Sequence, residues 1–179
     1  MESTPAILLR RTRYSETSLI VTWLTLDHGK LKTLARGALR PKSGFSGVLD
    51  LFYEAEISFS RSAKSEIHTL KEAVLVNPHE AIRLDYGRVE LAAYFVSLLE
   101  LCVEPEQPVP ELFDLMSRAL RYLAGNAPTL RALTHFEGEL ARLLGVETAD
   151  PSPGAAATAI ARLIHRLPDS RRALVQKLK

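Results

Sequence analysis

The chain has 179 residues, with 46% hydrophobic and 25% charged side chains and a formal net charge of +2. This composition is typical of a folded protein and excludes a disordered or collagen-like chain. Its apolar runs are far shorter than the roughly 18–20 residues of a transmembrane helix, and its acidic start is unlike a signal peptide, so we expect no membrane partner. The single cysteine, Cys102, excludes an internal disulfide and favours a reducing cytoplasm.

Charge is distributed unevenly along the chain. Residues 1–49 carry a net charge of +5, residues 50–72 carry −2, residues 73–150 carry −6, and residues 151–179 carry +5. Two basic ends around an acidic middle indicate a polyanionic partner.

The first part of the chain has the pattern of five short strands joined by turns. They are predicted at Ile7–Arg13, Leu19–Leu26, Lys30–Gly37, Leu49–Phe59 and Glu66–Val76. The fourth is the clearest, since hydrophobic and polar residues alternate along it except at Phe52. Trp23 lies inside an apolar strand and is expected in the core. Five strands in about 75 residues fit a small barrel, and a five-stranded oligonucleotide-binding (OB) barrel is one of the few of this size.

Helical spacing begins at Asn77, where Asn77, Pro78 and Glu80 predict a capped helix start. This first helix is predicted to run to about Val103, with Cys102 buried in its apolar pattern, and a proline-rich linker follows. Later helices are predicted at Pro110–Ala124, Ala127–Leu144, Ala155–Arg166 and Ser170–Leu178, with left-handed glycine caps at Gly125 and Gly145 and an Asp169 cap on the last.

The sequence therefore predicts an α+β protein with two domains. Residues 1–77 are expected to form a five-stranded OB-fold β-barrel that binds nucleic acid, and residues 78–179 an all-α helical domain. The chain has no glycine-rich phosphate loop and no Gly-x-Ser-x-Gly or His-Glu-x-x-His motif, and its five histidines are scattered. We expect no catalytic activity, cofactor, metal or small-molecule substrate.

Basic side chains share faces of the predicted barrel. Lys30, Lys32 and Arg36 lie on one face of the third strand, and Arg11 and Arg13 on one face of the first. Cations neutralise phosphates, and exposed rings stack on unpaired bases. A basic loop adds further cations and Phe45, which is either such a ring or an anchor that packs back on the barrel. The predicted contacts are Arg11, Arg13, Lys30, Lys32, Arg36, Arg40 and Lys42.

Several short segments resemble the RecO family of bacterial DNA repair proteins. They are Ser15–Val21, Thr25 with Gly29-Lys30, Ala35–Ser43, Gly47–Phe52, Glu66–Leu70 and, in the helical part, His135-Phe136-Glu137 with Leu140, Leu143, Leu144 and Gly145. The resemblance implies an OB barrel and a helical domain that bind single- and double-stranded DNA and anneal complementary strands. It also implies that, with the partner RecR, the protein helps load RecA onto DNA coated by single-strand binding protein (SSB), and that it binds the acidic, Phe-ended tail of SSB. By position, it places the DNA contacts at the same seven cations.

Two features depart from the family pattern. Many members carry a four-cysteine zinc module after the third helix, but the matching stretch Val146–Gly154 has no cysteine, so we expect a short member without zinc. The tail-binding pocket has no assigned position. The C-terminal arginines Arg162, Arg166, Arg171 and Arg172 either grip the acidic tail or form a solvated face. A second hypothesis is an adaptor that binds the SSB tail or RecR and has little DNA binding of its own.

Overall fold

A computed structural model describes residues 1–146 and 148–179. Glu147, in the stretch that matches the zinc module, lies outside the described residues. Five strands precede six helices. The strands are β1 Glu2–Arg13, β2 Leu19–Thr25, β3 Gly29–Ala35, β4 Glu54–Ser60 and β5 Ile67–Asn77, and the helices are α1 Glu80–Arg83, α2 Tyr86–Cys102, α3 Pro110–Gly125, α4 Leu130–Leu143, α5 Ala155–Ile164 and α6 Ser170–Lys177.

The five strands close into a barrel in the order β1-β2-β3-β5-β4. Neighbouring strands are antiparallel except β3 and β5, which are parallel. This is an OB fold, and the α+β prediction is confirmed. Trp23 is fully buried in the barrel core, as predicted, and its Nε1 donates a hydrogen bond of 2.8 Å to Thr33 Oγ1. The bond satisfies the polar atom of the largest core side chain.

The strand predicted at Leu49–Phe59 is wrong in its first half. Phe52 is buried at a φ of +70°, a conformation that ends regular strand pairing. Its N–H donates to Leu8 O, and Leu8 N–H donates to Tyr53 O, so this turn is bonded to β1. Leu51, one of the hydrophobic residues of the alternating pattern, is 38% exposed. The one exception in the alternation, Phe52, thus marks the position where the strand pattern fails.

The predicted helix start at Asn77 is also wrong. Asn77 is paired with Glu54 in the β4–β5 ladder, so its backbone belongs to the sheet. His79 follows at a φ of +46°, and helix α1 is a single turn before α2 begins at Tyr86. Cys102 ends α2 and is only half-buried. Sheet pairing here overrides the local capping signal.

Later caps follow the prediction only in part. Gly145 has a φ of +70°, as expected for a left-handed cap, whereas Gly125 is not in that region. Helix α4 starts later than predicted, at Leu130, because Thr129 Oγ1 accepts from Ala132 N–H. The Asp169 side chain makes no capping hydrogen bond to α6, so that predicted cap is wrong.

The described residues form two compact units. The barrel unit comprises Met1–Pro78 and Val103–Phe113, and the helical unit comprises His79–Cys102 and Asp114–Lys179. In the helical unit, the Phe95 and Phe136 rings stack with centroids 4.0 Å apart. None of the described helices is long and apolar enough to cross a membrane.

The proline-rich segment is more than a linker, because it docks on β3 within the barrel unit. Pro105 forms a bridge with Lys30, and Glu106 N–H donates to Lys30 O at 3.1 Å. The backbone oxygen of Gln107 lies so close to Gly29 that a Cβ there would be 2.2 Å from it. With a φ of +67°, Gly29 is therefore required both by its turn and by this contact.

Candidate nucleic-acid interface

The outer face of the barrel carries cations on β1 and β3, on either side of β2. Arg10 on β1 pairs with Thr22 on β2, which pairs with Lys32 on β3. Residues opposite each other in adjacent strands share a face, so Arg10 and Lys32 lie on the same side, about 10 Å apart. Both are exposed, and Lys30 lies on the same face of β3, half-buried. We call Arg10, Lys30 and Lys32 the outer row.

Arg11 and Arg13 lie on the opposite side of the sheet from the outer row. The register of β1 shifts at Leu9, between Leu8 and Arg10. One unpaired residue moves every later side chain to the other face. As a result, Arg11 pairs with Val21 and Arg13 with Leu19, which are both core residues. The seven predicted contacts therefore do not converge on one surface.

Arg11 is engaged by the loop between β3 and β4. Its Nη1 donates to Leu49 O at 3.0 Å, and its Nη2 lies 3.1 Å from Asp50 Oδ1. Phe45 in the same loop is half-buried and packs against the barrel core. Of the two interpretations of Phe45, the structure supports the loop anchor, and an exposed stacking ring at Phe45 is wrong.

Arg13, Arg36 and Arg40 surround the β1–β2 turn and are here called the turn rim. Arg13 lies at the end of β1, and its guanidinium donates to Ser15 O and Glu16 O within the turn. The segment after β3 is tied to the same turn, since Gly37 N–H donates to Ser18 Oγ and Leu39 N–H to Thr17 O. These bonds bring Arg36 and Arg40 to the turn, and both are exposed. Lys42 is exposed further along that loop.

Two residues of this surface were absent from the predicted set. Arg10 was missed because the bulge at Leu9, which places it beside Lys32, has no sequence signature. Tyr14 follows Arg13 in the β1–β2 turn and is 61% exposed. The sequence feature that could have identified Tyr14 is an aromatic residue at the end of a strand, immediately before a polar turn. OB folds bind oligonucleotides through the face of strands 2 and 3 and the loops beside it, which here include this turn.

The helical unit contains a cavity of about 410 Å³ between α3 and α4. Phe95, Leu115 and Phe136 line it and are buried, whereas Arg118, Arg131 and other rim residues are exposed. An apolar floor beneath cationic side chains suits a ligand that ends in an apolar group and carries negative charge. The remaining lining residues are Ala119, Tyr122, Ala132 and His135.

Arg171, one of the C-terminal arginines, is occupied within the helical unit. Its guanidinium donates two hydrogen bonds, of 2.6 and 2.9 Å, to the fully buried Glu137 carboxylate, which also accepts from Tyr94 Oη at 2.5 Å. The bonds to Glu137 raise the pKa of Arg171. Burial, and then the Glu137 charge, raise the pKa of Tyr94. Arg171 therefore has a structural partner, unlike the exposed Arg162, Arg166 and Arg172.

Comparison with known families accounts for both units. The family model described as "Recombination protein O N terminal" matches residues 1–79, and the model described as "Recombination protein O C terminal" matches residues 83–149. The chain belongs to the RecO family. The resemblance seen in the short motifs is thereby confirmed, across the OB barrel and helices α2, α3 and α4.

Several proteins named DNA repair protein RecO are similar to this chain. That of Rhodopirellula baltica is 35% identical over 140 residues, which cover 78% of the chain and 52% of the relative. That of Salinibacter ruber is 33% identical over 147 residues, covering 82% and 56%. That of Burkholderia orbicola is 39% identical over 144 residues, covering 79% and 49%. The chain thus spans about half the length of the RecO relatives it matches.

The residues present do not fit the zinc ion of many RecO proteins. Cys102, at the end of α2, is the only cysteine in the chain. Across residues 1–146 and 148–179, no group of three or more His, Cys, Asp and Glu side chains could hold a metal ion. A structural zinc site needs four such ligands in tetrahedral geometry.

Proposed function

We propose that this RecO-family chain is a DNA-binding recombination mediator in DNA repair. The observation that carries the proposal is that the outer row lies on the strands, and the turn rim at the turn, by which OB folds bind oligonucleotides. In this proposal residues 1–77 hold DNA and residues 78–179 hold a protein partner, with no covalent chemistry in either part. Because the proposed partner is DNA, we also propose that the chain acts in the cytoplasm.

The proposed mechanism is electrostatic capture of DNA backbone phosphates. Lys32, Arg36 and Arg40 are exposed and are expected to contribute most. Lys30, Lys42 and Arg13 contribute beside them, and Arg10 joins the predicted set. Arg11 contributes least, because Asp50 already partly neutralises it. Neutralising the phosphates of two strands lowers their mutual repulsion, which favours annealing of complementary single strands, and the same contacts accept duplex DNA.

The first experiment measures binding of a labelled 30-nucleotide single strand by fluorescence anisotropy at 50, 100 and 200 mM salt. Each neutralised phosphate of a single strand contributes about −0.7 to the slope of log affinity against log salt. With four phosphate contacts, affinity is expected to fall roughly fifty-fold across this range. Binding that does not change with salt would contradict the mechanism.

A second experiment reverses the charge of barrel cations to test whether they form the DNA-binding surface. The triple variant Lys30→Glu, Lys32→Glu, Arg36→Glu is expected to abolish measurable DNA binding. Its matched control reverses the same number of exposed cations in the helical unit, at Arg162, Arg166 and Arg172. Circular dichroism checks that both variants fold. If the control loses as much affinity as the barrel variant, net charge rather than this surface governs binding.

The helical cavity is the proposed site for the acidic, Phe-ended tail of SSB. The terminal Phe would occupy the apolar floor formed by Phe95, Leu115 and Phe136. The acidic residues would face Arg118 and Arg131. Arg118 also forms an ion pair with Asp114, in which Nε and Oδ2 are 2.7 Å apart. The α3–α4 cavity is favoured over the C-terminal arginines as the tail site because it combines an apolar floor with cations, and because Arg171, one of those arginines, is bound to Glu137.

A labelled synthetic acidic peptide ending in Phe tests this site. Ala119→Trp fills the cavity and is expected to abolish peptide binding while DNA binding persists. A peptide ending in Ala is the matched ligand control. Peptide binding that survives Ala119→Trp would place the tail elsewhere. Peptide binding together with no DNA binding by the unmodified chain would favour the second candidate function, the adaptor.

Cooperation with RecR and RecA completes the proposed function. The chain would deliver SSB-coated single strands to RecR and so help RecA load. The assay follows strand annealing and RecA filament formation on SSB-coated DNA, with and without RecR. We expect annealing by the chain alone and faster RecA loading only when RecR is added. Loading that is unchanged by the chain would remove the mediator role.

A further inference from the structure

Tyr14 is the exposed ring of the barrel unit. Its side chain is 61% exposed, whereas the other aromatic residues of that unit are buried or half-buried. They are Trp23, Phe45, Phe52, Tyr53, Phe59 and Phe113. We propose that Tyr14 stacks on an unpaired base and makes this surface selective for single-stranded over duplex DNA. This inference rests on the proposed DNA binding and names the form of DNA that the turn prefers.

The turn holds Tyr14 in an ordered position. Tyr14 N–H donates to Ser18 O at 3.0 Å, and Ser15 N–H donates to the same oxygen at 3.3 Å. The Arg13 guanidinium also donates to the carbonyl oxygens of Ser15 and Glu16. A ring presented by a preorganised backbone loses little conformational entropy when a ligand binds. The local bonds thus suit Tyr14 to a stacking contact.

Exposed cations of the turn rim lie near the turn that carries Tyr14. Arg13, Arg36 and Arg40 form the turn rim and are exposed around the same turn. Phosphates held by the turn rim would leave the attached bases near the Tyr14 ring. A phosphate contact and a stacked base from the same nucleotide unit are the combination by which proteins bind single strands without reading sequence.

Stacking also explains why the preference is for unpaired DNA. In a duplex, the two faces of each base are covered by neighbouring base pairs, so a side-chain ring can stack only after the bases separate. Separation costs a few kcal/mol per base step. A single strand pays much less, and the ring therefore adds affinity only to the single-stranded complex.

The test compares Tyr14→Leu with the unmodified chain, using a labelled 30-nucleotide single strand and the matching blunt duplex at one salt concentration. We expect single-strand affinity to fall about five- to 140-fold, the range of one stacked base. Duplex affinity is expected to change less than two-fold. Tyr14→Phe keeps the ring and is expected to bind as the unmodified chain does. Tyr86→Leu, at an exposed tyrosine of the helical unit, is the matched control.

A spectroscopic measurement separates stacking from a general loss of contact. A single strand with 2-aminopurine at successive positions is expected to lose fluorescence on binding at one position, and to keep it with Tyr14→Leu. Equal losses for single strand and duplex, no loss for either, or a Tyr14→Phe variant that behaves as Tyr14→Leu would each overturn the inference while DNA binding stands. An unmodified chain that binds no DNA would overturn the proposed function itself.

Discussion

The two units of this chain differ in the polar contact at the centre of each core. In the helical unit the fully buried Glu137 lies between Tyr94 and Arg171 and joins α2, α4 and α6. In the barrel unit, the core hydrogen bond from Trp23 to Thr33 is neutral, and the cations of the outer row and turn rim lie at the surface. The comparison teaches that a charged network joins the helices at Glu137, whereas the barrel closes on a neutral hydrogen bond and carries exposed cations such as Lys32 and Arg36 on its surface.

The largest expected effect follows from removing the partner of the buried charge. Arg171→Met leaves the Glu137 carboxylate buried with only the Tyr94 hydroxyl, because its two bonds to the guanidinium are lost. Breaking a buried ion pair from one side costs about 3–5 kcal/mol. We expect the free energy of unfolding of the helical unit, measured in urea, to fall by that amount.

The matched control removes both charges together. The double variant Glu137→Gln, Arg171→Met no longer buries an unpaired charge, so it is expected to lose clearly less stability than Arg171→Met alone. If the double variant is the less stable of the two, the pair adds stability beyond mutual neutralisation. A loss under about 1 kcal/mol for Arg171→Met would show that the pair behaves as a surface salt bridge.

The corresponding change in the barrel has a smaller expected effect. Thr33→Val removes the acceptor of the Trp23 Nε1 hydrogen bond while keeping the shape of the side chain. A buried donor left without a partner costs about 1–3 kcal/mol. Thr33→Ser keeps the hydroxyl and is the control. The two variants are compared by urea unfolding followed through Trp23 fluorescence. A Thr33→Ser loss larger than that of Thr33→Val would mean that the methyl group, not the bond, matters.

Alternating patterns allowed the barrel to be predicted, because side chains alternate strictly along a strand. Trp23 and the exposed face of Lys32 follow from this rule, and both are where it puts them. The rule fails at Leu9, where one extra residue reverses the faces of Arg11 and Arg13. A bulge depends on how β1 bends between its two neighbours, which are distant in sequence. The local pattern cannot contain that information.

The burial of loop residues was the second feature that could not be predicted from the sequence. Phe45 and Tyr14 are both aromatic residues in polar surroundings, yet Phe45 packs on the core and Tyr14 is exposed. The docking of Pro105 on Lys30 similarly depends on contacts between segments about 75 residues apart in sequence. Such contacts are decided by tertiary packing, so the sequence could predict the strand face of Lys32 but not the burial of Phe45, the exposure of Tyr14 or the docking of Pro105.

The next effect is a pH dependence confined to the helical unit. Burial and Glu137 raise the pKa of Tyr94 above its ordinary value of 10.0. Above pH 10 the unfolded chain releases the Tyr94 proton and the folded chain keeps it, so stability is complete below pH 10 and falls as pH rises. One such proton contributes up to about 1.4 kcal/mol per pH unit. We expect Tyr94→Phe to show a shallower decline between pH 10 and 11 in urea unfolding, and an identical decline would contradict this assignment.

The smallest expected effect compares one cation from each unit. Lys32→Gln removes an exposed charge of the outer row, and Arg162→Gln removes an exposed charge of α5. Neither is expected to change the free energy of unfolding by more than about 0.5 kcal/mol, since both lie away from the core. Lys32→Gln should nevertheless make the salt slope of single-strand binding shallower by about 0.7, one phosphate contact, while Arg162→Gln leaves it unchanged. If both variants change the slope equally, the charge of the helical unit is also available to DNA.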